Sequence, residues 1–291
     1  MTHATDQSMT KDPVILPLAA MLAAMVLLPI GDAISKLVVA TYPAEQITWV
    51  RNLVHVVIVL PLALRGGTRI PFSPLHLFRA FNFALMAVAY IAALRFMPLA
   101  DAQALIFTFP LMVMVFSALA LGLKVGPVRW TAALAGLAGV VLVVQPGFRE
   151  MTIGVPLALL AAVSAAAYIL LTRRLTGSTT PMMMLAVPGL ISVLLLTPVM
   201  PFSWIAPDIW DLSLMIIIGL LSTMIHFLLI FTYARLEPSS VAPLAYLQIA
   251  VGVVLGWWIF GDLPNTAAAI GMIIVVLSGI VISVREHRGS R

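Results

Sequence analysis

Ten apolar runs, each about as long as a bilayer's hydrocarbon core demands of a helix, divide this 291-residue chain at its polar, Pro and Gly punctuation. They fall near residues 14–39, 44–64, 75–95, 99–122, 128–146, 154–173, 181–200, 211–234, 239–260 and 265–284. A crossing helix needs about 20 mostly apolar residues, and the connections between these runs are too short to hold a soluble domain. Hydrophobic residues make up 62% of the chain and charged residues 9%, against about 25% charged in an ordinary globular protein. Lipid must therefore solvate most of the surface. The fold class this predicts is an all-α integral membrane protein of ten transmembrane helices. Small-residue stretches such as 132–139 and 161–167 would let helix backbones approach closely.

The net charge of +5 does not point to nucleic acid, because the basic residues are spread thinly between apolar runs instead of gathered on one solvated face. Their placement reads as membrane orientation. With the N-terminus inside, Lys11, Arg65, Arg69, Arg79, Lys124, Arg129, Arg173, Arg174, Arg235, Arg285, Arg288 and Arg291 fall on the inner side. Lys36, Arg51, Arg95 and Arg149 lie elsewhere. Both termini are expected in the cytoplasm. The chain has no cysteine, hence no disulfide, thiolate metal site or cysteine nucleophile. Its first dozen residues lack a signal-peptide cleavage pattern, so the first run is expected to stay as a helix.

Self-comparison adds an internal repeat. ALRFMPLADAQALIF (93–107) aligns without gaps on YARLEPSSVAPLAYL (233–247), pairing Arg95 with Arg235, Pro98 with Pro238 and Ala102 with Ala242 at an offset of 140 residues. The same offset pairs Leu123 with Leu263 and Gly139 with Gly279. Two homologous five-helix halves follow, and because five is odd the second must be inserted upside down. The expected organisation is a tail at 1–13, a first repeat at 14–147, a second at 152–285 and a tail at 286–291, with both tails cytoplasmic.

The unit ALRFMPLADAQALIFTFPLMVMVFSALALG, the span ending LAGVVLVVQPG (137–147) and the echo YARLEPSSVAPLAYLQIAVGVVLGWWIFGD (233–262) resemble the drug/metabolite transporter superfamily, specifically its EamA-domain branch. DAISKL (32–37) and YPAEQITWVRNLVH (42–55) resemble the first helical hairpin of one subgroup. The resemblance implies two inverted repeats around a central substrate cavity, with the fifth and tenth helices peripheral. It also implies residence in a bacterial inner membrane. An acidic residue usually follows the fourth and ninth helices of such proteins; Asp262 supplies it in the second half, whereas the first half reads Gly122-Leu123-Lys124.

An ionisable side chain at a membrane helix centre costs at least about 2.5–3.5 kcal/mol, so each one marks a candidate site. Asp32 and Lys36 share one face of the first helix, and Arg51 and His55 share one face of the second. At about 1.5 Å per residue from the expected outer ends, Asp32 and Arg51 lie roughly 10 Å deep and His55 nearer the midplane. Two readings stand. In one, Arg51 meets an anionic substrate group, Asp32 meets an ammonium group or takes a proton, and His55 titrates or touches substrate. In the other, Asp32 and Arg51 form a structural ion pair and Lys36 snorkels to the interface. The second half offers His226, Tyr246 and Gln248 near Pro243, and the third helix offers Asn82 and Tyr90. Thr108, Ser164 and Tyr168 are weaker candidates, Trp49, Trp257 and Trp258 are candidate ring partners, and Pro29, Pro110 and Pro188 are candidate kinks.

These residues fit a secondary transporter of a small organic metabolite: an amino acid, a flavin- or nucleoside-like compound, or an organic ion. The chain lacks H-E-x-x-H, G-x-S-x-G and a nucleotide-binding P-loop, which argues against an enzyme or an ATP-driven pump. A channel-like pore is the alternative, but no ring of charge or filter repeat is evident. No cofactor, metal site, catalytic residue or nucleic-acid partner is expected. The expected partners are the lipid bilayer and a small-molecule substrate, with proton coupling as one way to drive transport and no oligomer required.

Overall fold

The computed structural model describes residues 12–65, 70–121, 126–145, 152–236 and 241–289. Lys11, Arg69, Lys124, Arg149, Arg291, Pro238, Leu123 and most of the N-terminal tail lie outside these residues, as do the side chains of Arg129, Pro243, Arg285 and Arg288. The helices are α1 (Asp12–Val39), α2 (Ala44–Leu64), α3 (Pro74–Leu94), α4 (Leu99–Ile106), α5 (Phe109–Leu121) and α6 (Pro127–Val144). They continue with α7 (Gly154–Leu175), α8 (Pro181–Leu196), the single turn α9 (Met200–Ser203) and α10 (Ile209–Tyr233). A 3-10 turn (Ala242–Tyr246) then leads into α11 (Leu247–Phe260), and α12 (Thr266–Gly289) closes the chain. No strand occurs among the described residues.

Local chemistry sets the helix ends. The hydroxyls of Ser73 and Thr180 accept the backbone N–H groups of His76 and Met183, and the Asp208 carboxylate accepts that of Asp211. Each satisfies one of the orphan donors of a first turn. Pro74, Pro127 and Pro181 occupy early helical positions where no N–H is needed. Gly261 ends α11 with φ of 72°, a left-handed conformation that glycine adopts without strain.

Among the described residues, six helical spans are long and apolar enough to cross a membrane, and four more helices are apolar but shorter: Trp130–Val144, Pro181–Leu196, Leu244–Phe260 and Thr266–Val281. The outside of the bundle carries many large apolar side chains, and several polar ones are buried within its hydrophobic core. Leu134, Leu137, Val254 and Ile273 are exposed, whereas Gln46, Asn52, His55, Arg79 and Gln103 are buried. Apolar surface of this extent is stable against acyl chains, and polar groups turned inward find partners there. The chain is a multi-pass membrane protein.

The fourth apolar run departs from the expected single helix, because it breaks at Phe107–Thr108 into α4 and α5. Pro110 has no N–H to give the carbonyl of Ile106, and its ring crowds that carbonyl. Thr108 instead donates its hydroxyl to the Leu105 carbonyl at 2.7 Å. At Pro29 and Pro188, by contrast, α1 and α8 continue unbroken.

Long contacts run α1 against α10, α3 against α7, α2 against α8 and α6 against α12. In the last pair, Gly139 and Gly271 let the two backbones touch: a methyl added at Gly139 would stand 2.8 Å from the Gly271 carbonyl. At the end of α6, Gln145 and Asn265 exchange two amide hydrogen bonds, of 2.7 and 3.0 Å.

Candidate functional site

A cavity of about 390 Å³ opens in the middle of the bundle, walled by α1, α2, α3, the α4–α5 break, α7, α10 and α11. Among the described residues, α6 and α12 contribute none to the wall. The broken backbone of the fourth run reaches the wall through Ile106, Phe107 and Phe109. In membranes, interrupted helix is tolerated where it faces such a cavity instead of lipid.

Of the residues singled out from the sequence, the structure brings Asp32, Arg51, Tyr90, His226 and Gln248 to one cavity. Asp32 accepts hydrogen bonds on Oδ2 from the Tyr90 hydroxyl at 3.0 Å and from Gln103 Nε2 at 3.1 Å. Arg51 forms no ion pair with Asp32 among the described residues, and its Nε is buried without a hydrogen-bond partner. The two charges nevertheless stand within electrostatic reach of each other. The structural ion pair considered above is therefore absent.

The remaining candidates sit elsewhere. His55 lies behind the wall, 3% exposed, with Nδ1 3.1 Å from the Thr223 hydroxyl. The Thr223 hydroxyl beside the His55 ring also stands 2.8 Å from the Gly219 carbonyl. The His55 ring touches that of His226, with centroids 5.3 Å apart. Asn82 donates to the Phe78 carbonyl of its own helix at 2.9 Å and is absent from the wall. Tyr246 packs its ring on Phe107 and its hydroxyl into the notch left by Gly279 of α12, which turns it from the cavity. His226 donates from Nδ1 to the Ser222 carbonyl at 2.6 Å, within its own helix and not across to a neighbour.

Among the weaker candidates, Tyr168 reaches the wall while Ser164 and Thr108 are buried off it. Trp49 meets Trp204 edge-on and donates to the Thr197 hydroxyl at 3.0 Å. Trp257 and Trp258 are exposed on the outside of the bundle. Gln103, Ser222 and Phe83 line the cavity without having been singled out. Gln103 carried a usable signal: an amide in the middle of an apolar run faces the same desolvation argument as a charge.

Two basic residues lie beside the cavity without lining it. Lys36 donates to the Met97 carbonyl at 2.6 Å and pairs with Asp262 at 3.6 Å, both partners lying in connections at the ends of helices. Arg79 is fully buried. Its guanidinium donates to the Met184 carbonyl at 2.8 Å and to the Thr172 hydroxyl at 3.5 Å, and lies 5.6 Å from the Tyr168 ring centre.

The polytopic helical bundle thus encloses a mostly apolar chamber set with a few polar side chains, among them Asp32, Arg51, Gln103, His226 and Gln248. The chain belongs to the EamA-like transporter family, whose model matches it twice, at residues 15–145 and 152–284. It is 30% identical to a riboflavin transporter of Rhizobium johnstonii, over 74% of this chain and 72% of that one. It is 21% identical to an S-adenosylmethionine uptake transporter of Rickettsia prowazekii, over 92% of each chain. A protein of known crystal structure shares the fold with a TM-score of 0.61 at 19% identity, covering 96% of this chain and 99% of the other.

Proposed function

We propose that this protein is a secondary transporter that moves a small organic metabolite across a bacterial inner membrane by alternating access. It would use ten spans in two inverted repeats, at 14–147 and 152–285, with both termini cytoplasmic. The observation that carries this reading is the central cavity, walled by both family-matched segments, with Lys36 and Arg79 beside it each bridging one segment to the other. Lys36 ties α1 to the α3–α4 turn and to Asp262, and Arg79 ties α3 to α7 and α8. Releasing one crossing while the other holds would open the cavity to one side at a time.

The inverted-repeat reading has its own support. Asn52 donates to the Ser192 hydroxyl at 2.7 Å, and these two residues are separated by 140 positions, the offset of the internal repeat. A residue that bonds its own equivalent is what a two-fold axis requires at that point. The packing agrees. If α1 corresponds to α7 and α3 to α10, the α1–α10 and α3–α7 contacts are images of one another, while α2–α8 and α6–α12 map onto themselves.

The relatives named for riboflavin and S-adenosylmethionine supply the first solutes to test. Proteoliposomes preloaded with either compound should take up its labelled form saturably and faster than empty ones. Uptake linear in concentration with no counterflow would instead indicate a pore. Single cysteines added at the two termini of this cysteine-free chain should both be labelled from the cytoplasmic side only. Labelling on opposite sides would overturn the ten-span reading.

A further inference from the structure

We infer that the gap between α8 and α10 is a phospholipid site, in which an acyl chain lies along α10 and a headgroup of net negative charge meets Arg235. The site is separate from the central cavity and does not depend on what that cavity carries.

The gap has a packing cause. α8 and α10 each lie against α2 far more closely than against each other. An open groove of about 650 Å³ remains, lined by Ile58 of α2, Met182 of α8 and one face of α10. On α10, Leu220, Met224, Phe227 and Phe231 line it at the i, i+4, i+7, i+11 spacing of a single helical stripe. α10 therefore separates two spaces: Ser222 and His226 face the central cavity, and this stripe faces the groove.

A groove of this kind does not stay empty in a membrane. Its lining would forfeit dispersion contacts to a void. Water finds almost no partner there, because the one uncharged polar side chain in the lining, Thr223, already holds its hydroxyl against His55 and the Gly219 carbonyl. An acyl chain is the remaining filler, and the length agrees. From Leu220 to Phe231 the stripe rises about 16 Å at about 1.5 Å per residue, and the hydrocarbon of one leaflet is about 15 Å deep, half of a core of about 30 Å.

What distinguishes a site from ordinary surrounding lipid is the charge at its end. Arg235 also lines the groove, one turn beyond Phe231. Its guanidinium carbon lies 3.8 Å from the centre of the Phe231 ring, and its Nη1 donates to the Phe231 carbonyl at 3.2 Å. The cation is thus held at the groove's end instead of swinging through the headgroup layer. It forms no ion pair among the described residues, and its remaining N–H donors suit phosphate oxygens. No acidic residue is among those lining the groove. A zwitterionic headgroup would therefore bring its ammonium beside a second cation, whereas a headgroup of net negative charge meets only attraction.

The test adds equal amounts of phosphatidylglycerol and phosphatidylcholine, each with a photoactivatable diazirine in one acyl chain, to the detergent-purified protein and maps the adducts by peptide mass spectrometry. Adducts should concentrate on the Leu220–Phe231 stretch of α10, with phosphatidylglycerol about fivefold ahead, the ratio that one basic residue near the headgroups supplies. Arg235→Gln, checked for monodisperse elution, should bring that ratio close to one, and Arg235→Lys should keep most of it. Arg174→Gln removes an exposed charge that is not part of the groove and should leave the ratio unchanged. Met224→Trp fills the groove at a position 50% exposed and should remove most α10 adducts of both lipids. Adducts spread over all the exposed helix faces without enrichment on α10 overturn the inference. Equal labelling by the two lipids, displacement by glycerol phosphate as strong as by unlabelled phosphatidylglycerol, or a dimer that shields the stripe from both lipids overturns it as well. None of these outcomes touches the transport reading, which counterflow tests separately.

Discussion

Replacing Lys36 by Met keeps the aliphatic stem and removes the ammonium that, on the proposed function, holds one end of the cavity closed. In the structure Nζ donates to the Met97 carbonyl at 2.6 Å, reaches the Leu94 carbonyl at 3.4 Å, stands 3.6 Å from the Asp262 carboxylate and lies 5.1 Å from the Phe260 ring centre. A charge-assisted bond of the first kind contributes about 1.5–3 kcal/mol. The ion pair contributes about 0–1 kcal/mol, because the Asp262 side chain is 35% exposed. The cation–π contact adds about 0.5–1 kcal/mol, and ordering the lysine rotamers takes back about 2 kcal/mol. These terms sum to about 0–3 kcal/mol in favour of the closed end, centred at about 1.5 kcal/mol, so Lys36→Met should raise the population open at that end roughly tenfold.

The assay places a cysteine at Ser35, which lines the cavity one residue away and is 3% exposed. The chain has no other thiol. Labelling by a membrane-impermeant maleimide from the outer side should accelerate by that factor in Lys36→Met. In Asp262→Asn, which removes only the screened pair, it should accelerate by less than about fivefold. Equal labelling rates in the presence and absence of the Lys36 ammonium would refute the assignment of Lys36 as a closing contact. A larger effect from Asp262→Asn would show that the ion pair, and not the carbonyl bond, holds this end.

Two further outcomes follow from the packing. Gly271→Leu places side-chain atoms where even a methyl would meet the Gly139 carbonyl at 2.5 Å and Leu142 at 2.9 Å; the α6–α12 pair should lose about 1–3 kcal/mol, read as a lower unfolding temperature in detergent, whereas Gly126→Ala, where nothing stands within 4 Å, should leave it unchanged. His226 lines the cavity and His55 stands behind it, so His226→Gln should alter the profile of counterflow between about pH 5 and 8 more than His55→Gln does; the reverse ranking would return the titrating role to His55.

How much of this is legible in the sequence depends on whether a feature is local. The membrane spans follow from run length and composition, because the cost of placing polar backbone and charge in hydrocarbon acts residue by residue. The same local argument picked out Asp32 and Arg51, and it would have picked out Gln103 had amides been weighed with charges. The break of the fourth run is also local in cause, since Pro110 removes the bond to Ile106, but the unbroken passage of α1 through Pro29 and of α8 through Pro188 shows that proline alone does not decide it. Which face of each helix turns inward was not legible. In water an amphipathic stripe gives that rotation away, whereas in lipid both faces of a helix are apolar and the sequence gives little bias between them. Contacts between distant segments therefore decided the site. Gly279 opens the notch that draws Tyr246 off the wall, and Tyr90 with Gln103 holds Asp32 away from Arg51. Sequence alone determined a polytopic membrane bundle with charges inside it; only the tertiary structure decided that those charges face a cavity unpaired, because pairing depends on helix rotation and lipid leaves rotation to packing.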